Sequence, residues 1–357
     1  MTAPEIPAGL PDAATLVRSA VQDGVVPGAV LITGRGADGP ARITAVGTTA
    51  AGPAGRPVTA DTVFDLASLT KVVATTPAVL RLADSGMLRL DDPVRRHLPA
   101  FTGVGKDAVT IRHLLAHSSG LPPHRDFWQL PGGPPERLAA VLAEPLEHPV
   151  GTVVRYSDLG FILLGEIVAA VAGQPLESAV RELVLDPLDL ASTRYLPPAD
   201  WRPVTAATEA PPGGEPKCGV VHDENAESLG GVAGHAGLFG TAPDLARYVR
   251  AGWLSESSPI SSGLRTEALS SQTKGLDGAR GLGWTLPGDT WDHMSPYWPT
   301  TGAGHTGFTG TSLALDPVSG IWVVLLTNAV HYGRGARAKG LRRAVHEAVA
   351  RAEADRD

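Results

Sequence analysis

Two short apolar runs near opposite ends of the chain constrain its fold more than any other feature: GAVLIT at residues 28–33 and IWVVLLT at residues 321–327. Each has the length and composition of a strand, and each has a second candidate beside it. Residues 43–46 are predicted to pair with the first run across a Gly-rich turn, and residues 311–315 with the second across a turn at 316–320. Helical spacing precedes the early strands at residues 11–23, with Leu16, Ala20 and Val21 on one face, and follows the late ones at 337–350. Between them lie helical patches at 111–116, 136–142, 161–171 and 176–184, joined by loops rich in Pro and Gly. The expected order is early strands, a helical middle and late strands, with the two ends joined into one sheet.

At 357 residues the chain exceeds the usual compact domain, so one large mixed domain or two interlocked lobes are expected. No stretch approaches the ~20 apolar residues of a membrane helix, and the first residues lack the basic-then-apolar pattern of a secretory leader. A single cysteine, Cys218, cannot form an intramolecular disulfide, in keeping with a reducing compartment. These features predict a water-soluble, cytoplasmic protein. A net charge of −7 without a concentrated basic run excludes the electrostatic footprint of a nucleic-acid or membrane-surface binder.

Residues 70–87 carry an apolar helical face of Val72, Val73, Thr76, Val79, Leu80 and Ala83 that ends at Gly86. Ser68 stands at the head of that helix and Lys71 follows one turn later, so hydroxyl and amine project from one side within reach of each other. A lysine whose pKa is lowered by burial or a neighbouring cation can act as base toward the serine. The pattern Ser-x-x-Lys is weak alone, because an N-cap serine beside a solvated lysine also produces it. Only five of the 30 basic residues are lysines, however, which makes a lysine at a motif position more informative. A second match, Ser271 to Lys274, runs into GLDGARGLG, which cannot form a helix to hold the pair rigid, and reads as a surface loop.

Two further segments alter the weight of Ser68. Tyr156, Ser157 and Asp158 precede an apolar helix, where a phenol could pass a proton between a nucleophile and a leaving group. GHTGFTG at 304–310 lies directly before the strand expected at 311–315; its glycines allow close approach of a substrate, and His305 supplies a donor or acceptor. In isolation the first is a packed tyrosine and the second a Gly-rich connection.

Together, SLTK, YSD and HTG stand in the order and approximate spacing of the three boxes of class C β-lactamases, D-Ala-type peptidases and related esterases. The segments TVFDLASLTKVVATT, TIRHLLAHSSGLP, VLDPLDLASTRY and GVAGHAGLFGTAPDLARY extend the likeness over nearly the whole chain, which resembles that penicillin-binding-protein-like family. The resemblance implies an α/β (α+β) fold of the β-lactamase/DD-peptidase type: an antiparallel sheet flanked by helices from residues 8–66 together with 280–357, an inserted mostly helical lobe at 67–279, and the site in the cleft between. It implies Ser68 as acylated nucleophile, Lys71 and Tyr156 as carriers of its proton, and an oxyanion site at the backbone N–H groups of Ser68 and Phe308, beside Gly307.

Two departures stand out, since familiar members have Asn where this chain has Asp158 and Lys where it has His305. An Asp beside Lys71 would favour the protonated amine, so either Asp158 points elsewhere, or His305 or Tyr156 takes more of the proton transfer. Loss of the lysine removes a fixed cation for a substrate carboxylate, which favours ester hydrolysis or acyl transfer over efficient β-lactam or carboxypeptidase chemistry. Asp158, Gly307 and His235 join Phe308 as candidate substrate contacts, although His222, Asp223 and His235 could equally stabilise loops.

Other constellations are weaker. His113 and His117 share helical spacing but lack the His-Glu-x-x-His pattern, and no metal or other cofactor is expected. No Gly-x-Ser-x-Gly elbow, P-loop or dinucleotide fingerprint occurs. The expected activity is acyl-enzyme hydrolysis of a small ester, amide or peptide. Its alternatives are an acyltransferase of natural-product biosynthesis, a D-amino-acid peptidase, and a catalytically silent binding module on the same fold.

Overall fold

The computed structural model describes residues 12–211, 214–335 and 337–354, so the reading of the extreme N-terminus and the start of the lobe expected from residue 8 lie outside the described residues. Its strands are β1 (Gly28–Arg35), β2 (Ala41–Gly47), β3 (Phe64–Asp65), β4 (Arg194–Tyr195), β5 (Leu238–Gly240), β6 (Ala303–Thr306), β7 (Ser312–Leu315) and β8 (Ile321–Thr327). Early and late strands join into one antiparallel sheet in the order β2-β1-β8-β7-β6.

The central pair explains why the two runs read as continuously apolar. Ala29 and Leu31 of β1 and Val323 and Leu325 of β8 pack on one side with Val17 of the helix Ala13–Gln22 and Val345 of the helix Arg337–Ala354. Their neighbours Val30, Ile32, Val324 and Leu326 face the opposite side, toward Val79 and Leu245 of the helices Thr76–Asp84 and Ala242–Val249. Strands covered on both faces lose the alternation of a half-exposed sheet, and each of the Val, Leu and Ile side chains contributes ~1.5–3 kcal/mol by leaving water. Gly34 sits opposite the fully buried Trp322, where a Cβ would stand 2.4 Å from the indole.

A second, three-stranded sheet has the order β3-β5-β4 and lies among the helices of the middle segment. The long helix there, Asp158–Ala172, starts at the N-cap Ser157 and ends at Gly173 in the left-handed region (φ 67°). It is apolar nearly all round and correspondingly buried, from Leu159 to Val168. Among the described residues no single helix is long and apolar enough to cross a membrane.

Two elements differ from expectation. The helix expected over 70–87 is divided into a π-turn at Lys71–Thr75 and an α-helix at Thr76–Asp84. Thr76 N–H bonds to Lys71 O, five residues back, and Val72 O, its α-helical partner, accepts the Tyr248 hydroxyl instead, so the first turn is widened. His305 and Thr306 of the HTG segment form the end of β6, a strand too short and Gly-rich to signal itself, at the edge of the large sheet, where Gly304 bridges to Thr285.

Candidate active site

The nucleophile is presented by a strand-to-helix turn. β3 ends at Asp65, whose carboxylate accepts the N–H groups of Ala67 (2.8 Å) and His222 (2.7 Å), and Leu66 N–H donates to Leu238 O at 2.9 Å. On the other side Thr309 and Thr311 donate their hydroxyls to Asp65 O (2.7 Å) and Leu66 O (3.2 Å), tying the segment after HTG to the strand before Ser68. Ala67 is held at φ 47°, a left-handed conformation costing ~1–3 kcal/mol in a non-glycine residue and sustained by these bonds. The chain thereby turns from strand to helix within a few residues, leaving Ser68 half-buried on the wall of a cleft.

Lys71 follows one turn on and is fully buried. Its three ammonium protons reach Ser68 Oγ (3.0 Å), Asp158 Oδ1 (2.8 Å) and His235 O (3.1 Å). The last contact depends on Gly234, where a Cβ would come within 2.0 Å of Phe161 O and 2.8 Å of Gly165 N, so only glycine lets this loop close onto the helix. Burial alone would lower the Lys71 pKa, but the Asp158 carboxylate and Tyr156 outweigh it and carry it above its ordinary value. For Asp158, burial acts upward, yet Lys71 and His124 bring the carboxyl far below the usual range. The pair is an ion pair at rest. Of the two alternatives open for Asp158, pointing elsewhere is thus excluded, and the free amine expected at Lys71 gives way to an ammonium.

Tyr156 lies across from this pair, its ring 4.9 Å from Lys71 Nζ. Burial raises its pKa and the Lys71 charge opposes part of the rise; the net shift is upward, which favours a neutral phenol. Two bonds fix the segment: Ser157 N–H donates to His117 Nδ1 (3.0 Å), and Ser157 Oγ donates to Pro122 O (2.7 Å). His117, at φ 56°, also packs its ring 4.7 Å from that of Tyr156.

The edge strand β6 supplies the third side. Gly307 N–H donates to Thr311 O at 2.8 Å, and a Cβ at Gly307 would lie 2.2 Å from Thr311 Oγ1 and 2.4 Å from Leu66 O, so glycine is what allows this edge to approach the nucleophile turn. Among the described residues neither Ser68 N–H nor Phe308 N–H has a partner. The Phe308 side chain is exposed and stacks on His222 at 5.6 Å. His305 is buried, with Nδ1 2.8 Å from Thr306 O and its ring 5.9 Å from Tyr156. Desolvation, then Lys71 and Arg280, pull its pKa down to about 3. A neutral ring that donates from Nδ1 leaves Nε2 as an acceptor, and Nε2 has no partner.

The cleft has a volume of about 340 Å³ and is lined by Ser68, Tyr156, His305 and Phe308 together with two residues the sequence did not single out, Arg280 and Trp291. Arg280 is almost wholly buried, paired with Asp289 Oδ1 (2.9 Å) and Thr285 Oγ1 (2.9 Å), with its guanidinium 5.7 Å from the Tyr156 ring. Sequence offers no local signal for it, since the stretch before GLGW also carries Lys274 and Asp277. Trp291 is 64% exposed and its ring stands 5.8 Å from Tyr156.

Not every expected contact reaches the cleft. The His235 ring is buried against Asp223 (Nε2 to Oδ1 2.9 Å), and it is the carbonyl of His235 that serves the site; Asp158 likewise engages Lys71 rather than the cleft. Both positions therefore hold Lys71 directly. His222 hydrogen-bonds Glu209 at 3.1 Å and stabilises its loop. His113 caps its own helix by accepting Thr110 N–H at Nδ1 (3.2 Å) while His117 serves Ser157, so the two are committed to different tasks. Ser271 and Lys274 lie on a loop.

Comparisons with known proteins identify the family. Residues 13–347 match the Beta-lactamase family. A putative D-alanyl-D-alanine carboxypeptidase of Escherichia coli (strain K12) is 34% identical over 313 residues, covering 76% of this chain and 70% of that protein. An N-acetylmuramyl-L-alanine amidase of Bacillus subtilis (strain 168) is 33% identical over 311 residues, with 76% and 68% covered. Among solved structures, EstCE1, a hydrolase with promiscuous acyltransferase activity, matches with a TM-score of 0.74 and 25% identity over 94% of this chain and 97% of its own. A beta-lactamase/D-alanine carboxypeptidase from Pseudomonas syringae shares the fold, with a TM-score of 0.75 and 20% identity over 94% and 97%. By both sequence and architecture, this chain belongs to the beta-lactamase family of serine hydrolases.

Proposed function

We propose that the protein cleaves small esters, and more slowly amides, through an acyl-enzyme on Ser68, with Tyr156 as proton carrier and Lys71 as a fixed cation. The observation that carries this reading is the position of Lys71 Nζ, 3.0 Å from Ser68 Oγ and 2.8 Å from Asp158 Oδ1. An ammonium held that firmly by a carboxylate is a poor base, but it favours negative charge on the neighbouring phenol and serine oxygens. Reaction begins from the form of the cluster that has lost one proton. Tyr156 Oη takes the Ser68 proton as Oγ attacks the carbonyl carbon, and the oxyanion forms against the N–H groups of Ser68 and Phe308. Each such donor is worth ~3–4 kcal/mol of barrier.

Collapse of the tetrahedral intermediate breaks the bond to the leaving group, which departs with the proton held by Tyr156. Water then enters and gives a proton to Tyr156 as its oxygen bonds to the acyl carbon; the second tetrahedral intermediate collapses by breaking the bond to Ser68 Oγ, which takes the proton back from Tyr156 as the acid leaves. His305 Nε2, a neutral acceptor, orients the entering nucleophile or leaving alcohol. An alcohol needs less help from a proton donor than an amine does, which is why esters come first. This reading keeps the expected division into a lobe of residues 8–66 with 280–357 and a lobe of 67–279, with the site in the cleft between them.

Similarity to EstCE1 favours a second reading, transfer of the acyl group to an alcohol or amine in place of water. Turnover of a short-chain nitrophenyl ester, with and without added alcohol, tests both readings. Ser68→Ala is expected to lose turnover and fluorophosphonate labelling. An unlabelled, inactive parent would overturn the reading in favour of a silent binding module, and capture of acyl groups by the alcohol at the expense of acid would make transfer the better description. A cytoplasmic location is proposed on the single, unbridged Cys218, and cell fractionation tests it.

A further inference from the structure

The second oxygen of Asp158 faces a histidine that the mechanism above does not use. His124 Nδ1 lies 3.5 Å from Asp158 Oδ2, and its Nε2 lies 3.3 Å from Asp126 Oδ1. The loop that carries it is bound through the main chain to the segment of Tyr156, Asp158 N–H donating to Pro123 O at 2.9 Å, so His124 is held over Asp158. Access falls off in steps along this line: the His124 side chain is 47% exposed, Asp158 17%, and Lys71 is sealed. The array His124, Asp158, Lys71 thus connects solvent to the buried ammonium beside Ser68.

We infer that His124 is a positioning residue that sets, through Asp158, the charge felt by Lys71 and Tyr156, so that the proton balance of the nucleophile cluster follows the protonation of a histidine at the surface. The inference rests on the acyl-enzyme reading of Ser68. The groups facing His124 are carboxylates from three directions: Asp126 on its own loop, Asp158 on the following helix, and Asp223, which is itself paired with His235. With both ring nitrogens opposite carboxylates, the imidazolium is favoured and the ring keeps its proton above the ordinary histidine range. Charged, His124 shares the carboxylate with Lys71 and weakens its hold on the ammonium proton. Neutral, it leaves Asp158 wholly to Lys71 and makes the cluster harder to deprotonate. A positive charge at 124 therefore brings the reactive, singly deprotonated cluster to lower pH.

The test has an arm that needs no substrate. Imidazole titration by NMR, with the His124 resonance assigned by its absence in His124→Gln, should give a pKa above 6.5 in the parent and a fall of about one unit in Asp158→Asn. The same titration point in both proteins would overturn the inference. The second arm compares kcat/KM for a short ester across pH. Relative to the parent, His124→Gln should be lower by about 3- to 10-fold near pH 6, with the deficit closing near pH 9 where the parent histidine is also neutral, and His124→Lys, a permanent cation, should restore the acid-side rate. A deficit constant with pH would mean that His124 only supports its loop, and would overturn the inference. Absence of any Ser68-dependent turnover would instead overturn the acyl-enzyme reading, and the NMR arm would still decide whether His124 and Asp158 are coupled.

Discussion

Replacing Asp158 by Asn keeps an oxygen for Lys71 Nζ and removes the charge now 2.8 Å away. Two unit charges ~4 Å apart at an effective dielectric of ~20 interact by ~4 kcal/mol. Opposite charges at such range shift a pKa by ~1–3 units, and ~2 units, ~2.7 kcal/mol, is a reasonable middle value. Asp158 raises the pKa of both Lys71 and Tyr156, so its loss moves both groups the same way. The rising limb of kcat/KM against pH is therefore expected ~2 units more acid in Asp158→Asn. Stability moves oppositely. The raised Lys71 pKa stabilises the fold below its ordinary 10.5 and is lost as pH climbs through the folded value; the depressed Asp158 pKa stabilises above 3.8 and is lost as pH falls. Between those limits the parent has the pair and the variant does not, a loss of ~3 kcal/mol at pH 7 limited by Lys71 giving up its proton. Ester turnover from pH 5 to 10, beside urea unfolding of both proteins, measures each effect. An unmoved limb, or one displaced to alkaline pH, would refute the assignment of Asp158 as the group that keeps Lys71 charged.

Tyr156→Phe is expected to lower kcat ~10²- to 10⁴-fold with little change in KM, read in steady-state ester hydrolysis; a loss under tenfold would remove the phenol from proton transfer. In Gly307→Ala the new Cβ must displace Leu66 O, backbone 2.4 Å away, so unfolding free energy should fall by ~1–3 kcal/mol and turnover should fall with it as Phe308 N–H is displaced. Burial holds four histidines neutral, His117, His293, His305 and His346, the last two with values near 3 and 4. Groups with depressed histidine pKa values stabilise above 6.5 and lose that contribution as pH falls, so unfolding near pH 5 should take up about four protons and stability should drop by up to ~5 kcal/mol per pH unit. A urea midpoint unchanged between pH 6.5 and 5 would contradict this.

Those elements whose signal is local are legible in the residue order. Ser68 and Lys71 are three residues apart, and helix geometry alone puts them on one side. Tyr156 precedes a helix whose apolar run is plain in the sequence, and the late strands carry an apolar run that only a covered sheet accommodates. Less visible is the strand β6, whose four residues Ala303–Thr306 are held by pairing with β7 rather than by propensity. The unbroken helix expected after Ser68 is interrupted by a widened turn whose freed carbonyl, Val72 O, is met by the hydroxyl of Tyr248, 176 residues on.

Residue order and spacing settled the chemistry this chain can offer: a hydroxyl, an amine and a phenol in family order, on a frame of early strands, a helical middle and late strands. Packing alone decided their charges. Asp158 is 87 residues from Lys71, His235 is 164 away, and Arg280 and Trp291 reach Tyr156 from beyond residue 279. Proton affinities in a buried cluster are set by distances of a few ångströms and by exclusion of water, and neither is written in any one segment. Whether Lys71 is a base or a cation follows from where a carboxylate comes to rest, and that position exists only once the loops have closed over the helix.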